Sequence, residues 1–241
     1  ITLQNACSAE PAFLLEQAQQ QAALWDNWLQ PVTPQMPAGE DPAYDDNFQQ
    51  MREEVNKLSG ADTSLTCELA EKLLVSHCKD VRVATYYIWA RLHRDGEAGL
   101  ADGLSLLAGL ITRFGETLHP LRAPSRKAAL EWLAASRVLD SLSLFPEVDK
   151  NDFSRIVGAL SLIEQGLNLW EPSSIPQFGV LYGALENRLA QSGGFDAVIP
   201  QNSSAASTGH KSNTSADSPV LKPVVSGRDL LDQARLLAEY L

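Results

Sequence analysis

The spacing of apolar residues is the feature that most constrains how this chain can fold. Along most of its 241 residues, apolar side chains recur at intervals of three and four, which is the period of an α-helix. The sustained alternation that strands need is nearly absent, and no repeat recurs at a fixed period. The pattern predicts an all-α protein in which several helices, joined by short loops, form an irregular multi-helix bundle.

Capping residues and turn residues indicate where the helices begin and end. An opening helix is expected over residues 11–29, because Pro11 suits a first helical turn. Residues 100–114 are apolar on most of the helix circumference, so this segment is expected at the centre of the core. Further helix starts are expected at Asp41 with Pro42, at one of Asp62, Thr63 and Ser64, at Asp80 and at Ser125. The helix expected after Asp41 should bury Tyr44, Phe48, Met51, Val55 and Leu58. The helix expected after Ser125 should bury Trp132.

A change of composition near residue 200 predicts the domain organisation. Residues 1–200 are expected to form one helical domain. Residues 201–226 are rich in serine and threonine and lack aromatic residues, which is typical of a flexible linker with a reach of roughly 28 Å. Residues 227–241 begin a leucine-rich amphipathic helix that would be marginal alone, so they are expected to start a second, truncated helical domain.

The charge of the chain excludes several classes of partner. The formal net charge is -11, and the linker and the final segment cancel each other, so residues 1–200 carry all of it. Such an acidic domain is not expected to bind nucleic acid or anionic lipid. No apolar run approaches the ~20 residues that a bilayer crossing needs, so membrane insertion is not expected. Three cysteines without an export signal indicate reduced thiols and a soluble, cytoplasmic protein.

Two short segments resemble catalytic motifs but lack the residues that the chemistry needs. His93, Arg94 and Asp95 match the start of a protein-kinase catalytic loop, yet Leu100 stands where an asparagine would hold magnesium. Ser105 lies in a segment like a hydrolase nucleophile elbow, but it is expected inside a helix and the closing glycine is missing. No catalytic residues are therefore expected, and the chain is interpreted as a protein without enzymatic activity.

No metal or cofactor site is expected either. Cys67, His77 and Cys78 are the best candidate metal ligands, but a structural zinc site needs four ligands with closer paired spacing. The cysteines are interpreted as small buried thiols. His119 precedes a proline in a loop, where a hydrogen-bonded structural role is expected.

The helix start at Asp80 is the best candidate for a partner-binding surface. Asp80 is expected to cap the helix with its carboxylate, and Arg82 could pair with a carboxylate. Lys79 and Arg82 are the two candidate partner-binding residues of this segment.

Five segments in order along the chain resemble one protein family. They read GEDPAYD at 39–45, KDVRVA at 79–84, GLADGL at 99–104 with LHP at 118–120, ALEWL at 129–133 and LENRL at 185–189. This series resembles the ImpA-type N-terminal region of TssA proteins, which belong to the bacterial type VI secretion system. The segment SGRDLL at 226–231 resembles the start of the next domain in the longer TssA subgroup. The residues carrying the resemblance are interpreted as structural: Gly39, Asp41, Pro42, Tyr44, Asp80, Gly99, Gly103, His119, Pro120, Trp132, Asn187 and Arg188.

The resemblance implies a non-enzymatic adaptor in a larger assembly. Members of this family help to assemble the baseplate and guide polymerisation of the inner tube and the contractile sheath. The implied partners are therefore the baseplate, tube and sheath subunits, and the full-length protein is expected to be a homo-oligomer. A cap that stops the sheath at its distal end is the main alternative, and an enzyme acting on the secretion machinery is a further one.

Overall fold

A computed structural model of the protein describes Gln4, Cys7 and residues 11–194. The expected linker at 201–226, the expected helix at 227–241 and the SGRDLL segment lie outside the described residues. No strand occurs within the described part of the chain, where regular structure is helical apart from two isolated bridges. The predicted all-α multi-helix bundle is confirmed.

Nine α-helices are present in this part of the chain. They are α1 Pro11–Ala23, α2 Asp46–Asn56, α3 Thr63–Ser76, α4 Val81–Asp95, α5 Glu97–Phe114, α6 Ala123–Glu131, α7 Ser136–Ser143, α8 Lys150–Leu167 and α9 Gly179–Gln191. Single 3-10 turns lie at Asp26–Trp28, Pro42–Tyr44, Gly115–Thr117, Trp132–Ala134 and Pro172–Ser174.

The helix α5 is the centre of the bundle, as its apolar circumference predicts. Of its 18 residues, only Ala98, Asp102, Thr112 and Arg113 are not buried. Its main neighbours are α4, α8 and α1. The helix can approach α4 closely because Gly103 has no side chain: a Cβ there would lie 2.7 Å from Cγ1 of Ile88. Close approach at glycine lets two buried helices share one apolar interface.

The aspartate caps differ in part from the expectation. Asp62 and Asp80 cap α3 and α4 with their carboxylates, as predicted. Asp41 caps only the 3-10 turn that follows it, and Asp45 caps α2 instead. The Ser125 cap is wrong, since α6 already begins at Ala123 with a proline in its first turn.

The predicted helix over residues 11–29 is too long, because α1 ends at Ala23. The chain turns there, and two tryptophans pack their rings against the ring of Tyr87 on α4. Their ring centroids lie 6.0 Å from it for Trp25 and 5.2 Å for Trp28. The turn after Ala23 thus coincides with packing of both rings against α4, which favours tertiary packing as the cause of the helix end.

Three aromatic or aliphatic side chains are more exposed than expected. Tyr44 is 96% exposed and Leu58 is 100% exposed, since both lie outside α2. Trp132 is half-buried and packs against the edge of the core, with its ring 5.2 Å from that of Tyr86. The prediction that all three belong to the core is wrong for Tyr44 and Leu58 and only partly correct for Trp132.

Candidate functional site

Three of the family-like segments meet at one place, which we call the motif junction and define as residues 38–41, 77–82 and 118–120. Backbone hydrogen bonds join them: Lys79 N donates to Ala38 O (2.7 Å), His119 N to Lys79 O (2.9 Å) and Val81 N to His119 O (2.9 Å). Segments distant in sequence are thus held in register at the start of α4. The resemblance in sequence therefore corresponds to one structural unit.

Gly39 makes this close approach possible. Its φ is +68°, a conformation that glycine adopts at low cost, and a Cβ at this position would lie 2.1 Å from the carbonyl oxygen of His77. Pro42 is buried just beyond it, in the 3-10 turn that Asp41 caps through a 2.9 Å bond from Ala43 N. The buried proline and the capping bond therefore fix the direction in which the 3-10 turn extends from the junction.

Asp80 and Arg82 form the charged centre of the junction. The Asp80 carboxylate is fully buried and accepts the amide of Arg82 (2.7 Å) together with its guanidinium (2.6 Å). The same guanidinium donates to the half-exposed carboxylate of Asp41 (2.8 Å). Burial raises the pKa of Asp80 despite these bonds. For Asp41, burial opposes ionisation, but the bonds from Arg82 and Ala43 lower its pKa. Arg82 thus links two carboxylates of different segments.

Lys79 is fully buried and therefore has no exposed surface for the partner contact that the sequence predicts. Its ammonium donates to the carbonyl oxygens of Trp28 (2.8 Å) and Leu74, and lies 5.7 Å from the ring centroid of Phe114. Burial lowers its pKa to about 8. The side chain therefore ties the junction to the loop before it and to α3. Of the two candidate partner-binding residues, only Arg82 reaches the surface, and its guanidinium is already paired.

His119 closes the junction from the third segment. It is buried, and Nε2 lies 2.9 Å from the carbonyl oxygen of Gly39. Its Nδ1 is buried without a hydrogen-bond partner among the described residues. The next residue, Pro120, is also buried, and its carbonyl accepts a bond from Arg126 (3.3 Å).

The remaining family-like residues lie outside the junction. Gly99 and Gly103 lie where α4 and α5 pack closely. Arg188 joins α9 to the start of α5 through Glu97 (2.6 Å) and also donates to the carbonyl oxygen of Glu147 (2.7 Å). Asn187 is exposed. These contacts hold helices together and do not extend the junction.

Sequence reasoning missed Arg126, a buried cation behind the third segment. Its Nη1 donates to the carbonyl oxygens of Glu116 (3.0 Å), Pro120 (3.3 Å) and Leu121 (3.1 Å). The guanidinium also lies 4.9 Å from the ring centroid of Trp170. No local pattern indicates these contacts, because carbonyl acceptors leave no signature in sequence.

The chemistry of the junction is that of a structural unit. The side chains of Asp41, Lys79, Asp80 and Arg82 are engaged with each other or with backbone carbonyls. Within residues 11–194 no group of three or more His, Cys, Asp and Glu residues could hold a metal ion. None of the helices described there is long and apolar enough to span a bilayer.

Residues 29–135 match the family model described as "ImpA, N-terminal, type VI secretion system", and this range contains the whole motif junction. A comparison with curated proteins gives no match. Among solved structures, the chain is similar to the N-terminal domain, including the conserved ImpA_N region, of the TssA component of the type VI secretion system from Burkholderia cenocepacia. The TM-score is 0.58 at 22% identity, over 70% of this chain and 91% of that chain.

The helical fold and the matched region define an ImpA-type N-terminal domain. The chain contains an ImpA-type N-terminal region of the type VI secretion system over residues 29–135, and its fold is similar to that of a TssA N-terminal domain. This family supplies structural components and is not a known enzyme family, so its members work with protein partners of the apparatus.

Proposed function

We propose that this protein is a non-enzymatic adaptor that contributes to baseplate assembly and to polymerisation of the tube and sheath. The observation that carries this proposal is the contrast between the buried and exposed parts of one sequence motif. Gly39 and Pro42 are buried and Asp41 pairs with Arg82, whereas Tyr44 is 96% exposed at the end of the same 3-10 turn. Tyrosine is enriched among the residues that contribute most to binding at protein interfaces.

The proposed partners are the baseplate, inner-tube and sheath subunits, in the cytoplasm of a bacterium. Binding of nucleic acid is disfavoured by the net charge of -11. We infer that the protein is a homo-oligomer in which each copy displays the same contact surface, so that weak contacts are reinforced by effective concentration. Distal capping of the sheath is the second role consistent with these partners.

Separate co-purification of the 241-residue chain with the baseplate, tube and sheath subunits tests this proposal. Retention of at least one subunit is expected, and Tyr44→Ala should reduce it about tenfold or more, as for a tyrosine at the centre of an interface. Val180→Ala is the matched control, because Val180 is also an exposed apolar residue, on α9. Retention of the sheath subunit alone would favour the capping role. Retention of none of them would contradict the adaptor proposal.

A further inference from the structure

An apolar groove lies between α1, α5 and α8, outside the motif junction. Its volume is about 750 Å³, which falls in the range of roughly 300–1,000 Å³ typical of sites that accept a ligand. Apolar side chains from all three helices and from the following loops line it: Ala22, Leu29, Ile111, Leu162 and Trp170. The groove is open to solvent, so it can admit part of a larger molecule.

Two of the apolar residues that line the groove are themselves exposed. Leu169 lines its edge and is 87% exposed, directly before the buried Trp170. Ala23, the last residue of α1, lines another edge and is also exposed. Contiguous exposed apolar surface of this kind marks interaction sites. Exposed apolar side chains at the edge of an open groove favour a protein segment over a small ligand.

The charged residues that line the groove are already paired. Arg113 donates to the Asp26 carboxylate (2.7 Å) and to the carbonyl oxygen of Leu29 (3.1 Å). Glu116 pairs with Arg126 (3.3 Å), whose guanidinium stacks on the Trp170 ring. A charged group entering the groove would have to displace one of these partners. The occupant must therefore present apolar side chains to the groove.

The edge of the groove carries an excess of negative charge. Glu116 lines the groove, and two further exposed carboxylates adjoin lining residues: Asp26 pairs with Arg113, and Glu171 follows Trp170 in the chain. Arg113 is the exposed cation among the lining residues. Arg126 is buried behind the tryptophan and contributes little to the surface field. The net charge of -11 adds to this local excess. Charge complementarity favours an occupant whose polar side is basic.

We propose that the groove docks an amphipathic α-helix of a partner protein. The helix places its apolar face in the groove, in contact with Leu169 and Trp170, and its lysines and arginines beside the carboxylates of the edge. This is the helix-in-groove mode of recognition, in which residues three and four apart act as anchors. The inference rests on the proposed adaptor function, to which it adds the chemistry of the partner.

A model peptide tests the groove directly. The probe is a fluorescently labelled helical peptide of leucine and lysine, with leucines at intervals of three and four, and its binding to the 241-residue chain is measured by fluorescence anisotropy. Leu169→Gln removes an anchor contact, and Ala23→Trp fills the groove from an exposed position. Each variant is expected to weaken binding about tenfold or more, equivalent to about 1.4 kcal/mol. Leu144→Gln, at an exposed leucine outside the groove, should bind like the wild type.

Three results would overturn the proposal. Unchanged binding by both groove variants would show that the peptide binds elsewhere. Equal binding of a second peptide with glutamate in place of every lysine would exclude a basic partner. Sedimentation that shows self-association of the wild type and not of the groove variants would assign the groove to a second copy of this chain. Peptide binding needs no secretion subunit, so this proposal and the adaptor function can fail separately.

Discussion

Arg82 neutralises a carboxylate that has no contact with water. Asp80 is fully buried, and it is paired within the described residues only through Arg82 and the first amides of α4. Removal of the cation from a buried ion pair typically destabilises a protein by about 3–5 kcal/mol, because the carboxylate is left buried without a partner. The main electrostatic role of Arg82 is therefore to neutralise Asp80 inside the protein, independently of any contact with a partner.

Arg82→Ala is accordingly expected to lower the free energy of unfolding by about 3–5 kcal/mol, as measured by urea denaturation. The matched control is Arg94→Ala, which removes a more exposed pair with Asp95 and should cost less than about 1 kcal/mol. Equal losses in the two variants would contradict the buried role of Asp80. A glutamate at position 82 would place a third carboxylate beside Asp41 and Asp80, so Arg82→Glu would disturb folding before it reported on binding.

Lys79 gives the protein a stability that depends on pH. Burial lowers its pKa from 10.5 to about 8, so between these values the unfolded chain holds a proton that the folded protein has released. Stability contributed by this group therefore rises with pH in that window. From pH 7 to pH 10 the wild type should gain about 2–3 kcal/mol over Lys79→Met.

The comparison with Lys79→Met is informative because groups that titrate in both proteins, such as the tyrosines and cysteines, cancel in the difference. Urea unfolding of both proteins at pH 7 and pH 10 provides the four free energies. A difference that stays constant with pH would mean that Lys79 keeps its proton in the folded protein at pH 10.

The sequence predicts local roles at the junction better than distant ones. Asp80 could be recognised as a cap because the amides that donate to its carboxylate lie only two and three residues further along the chain. The burial of Lys79 could not be recognised, since its oxygen partner on Trp28 is 51 residues distant. Arg126 was missed for the same reason, as its role depends on a tryptophan ring and on carbonyl groups of a loop.

At the scale of elements, glycine determines how closely α4 and α5 pack. A Cβ on Gly99 would lie 2.2 Å from the backbone oxygen of Arg91, which cannot move without shifting α4. Gly183 lies inside α9 with no atom within 4 Å of such a Cβ. The two glycines therefore separate the effect of packing from the effect of helix propensity.

Gly99→Ala is expected to destabilise the protein by about 1–3 kcal/mol, because the added methyl group forces the helices apart. Gly183→Ala should instead stabilise it by about 0.5–1 kcal/mol, since alanine is the better helix former. Thermal or urea unfolding measures both. Stabilisation by both substitutions would show that α4 and α5 can separate at little cost.

The contrast between local sequence pattern and tertiary packing also explains which elements the sequence predicts. Helix α5 is found correctly because a segment that is apolar on nearly all sides has only the core as its environment. The end of α1 is missed because it depends on where Trp25 and Trp28 reach α4. The start of α6 is missed because Pro124 in its first turn outweighs the capping tendency of Ser125.

At the scale of the whole molecule, the described core extends from Cys7 to Leu189. The last helix, α9, belongs to it: Leu181, Leu185 and Leu189 are buried, and Arg188 pairs with Glu97 at the start of α5. The serine-rich composition begins only after residue 200. The proposed domain of residues 1–200 therefore contains every buried residue of the described part.

Residues 1–200 alone are expected to unfold in one cooperative transition, because they contain the entire described core. All five tryptophans lie in this range, so near-ultraviolet circular dichroism and fluorescence can follow packing while far-ultraviolet dichroism follows helix content.

The control is a chain of residues 1–176, which lacks α9. It leaves the buried Glu97 without Arg188 and exposes the apolar surface that α9 covers, so it should lose several kcal/mol. Coincident transitions for residues 1–200, together with a weakened or non-cooperative one for residues 1–176, would support a domain that ends between α9 and residue 200. A non-cooperative transition for residues 1–200 would place the boundary further along the chain.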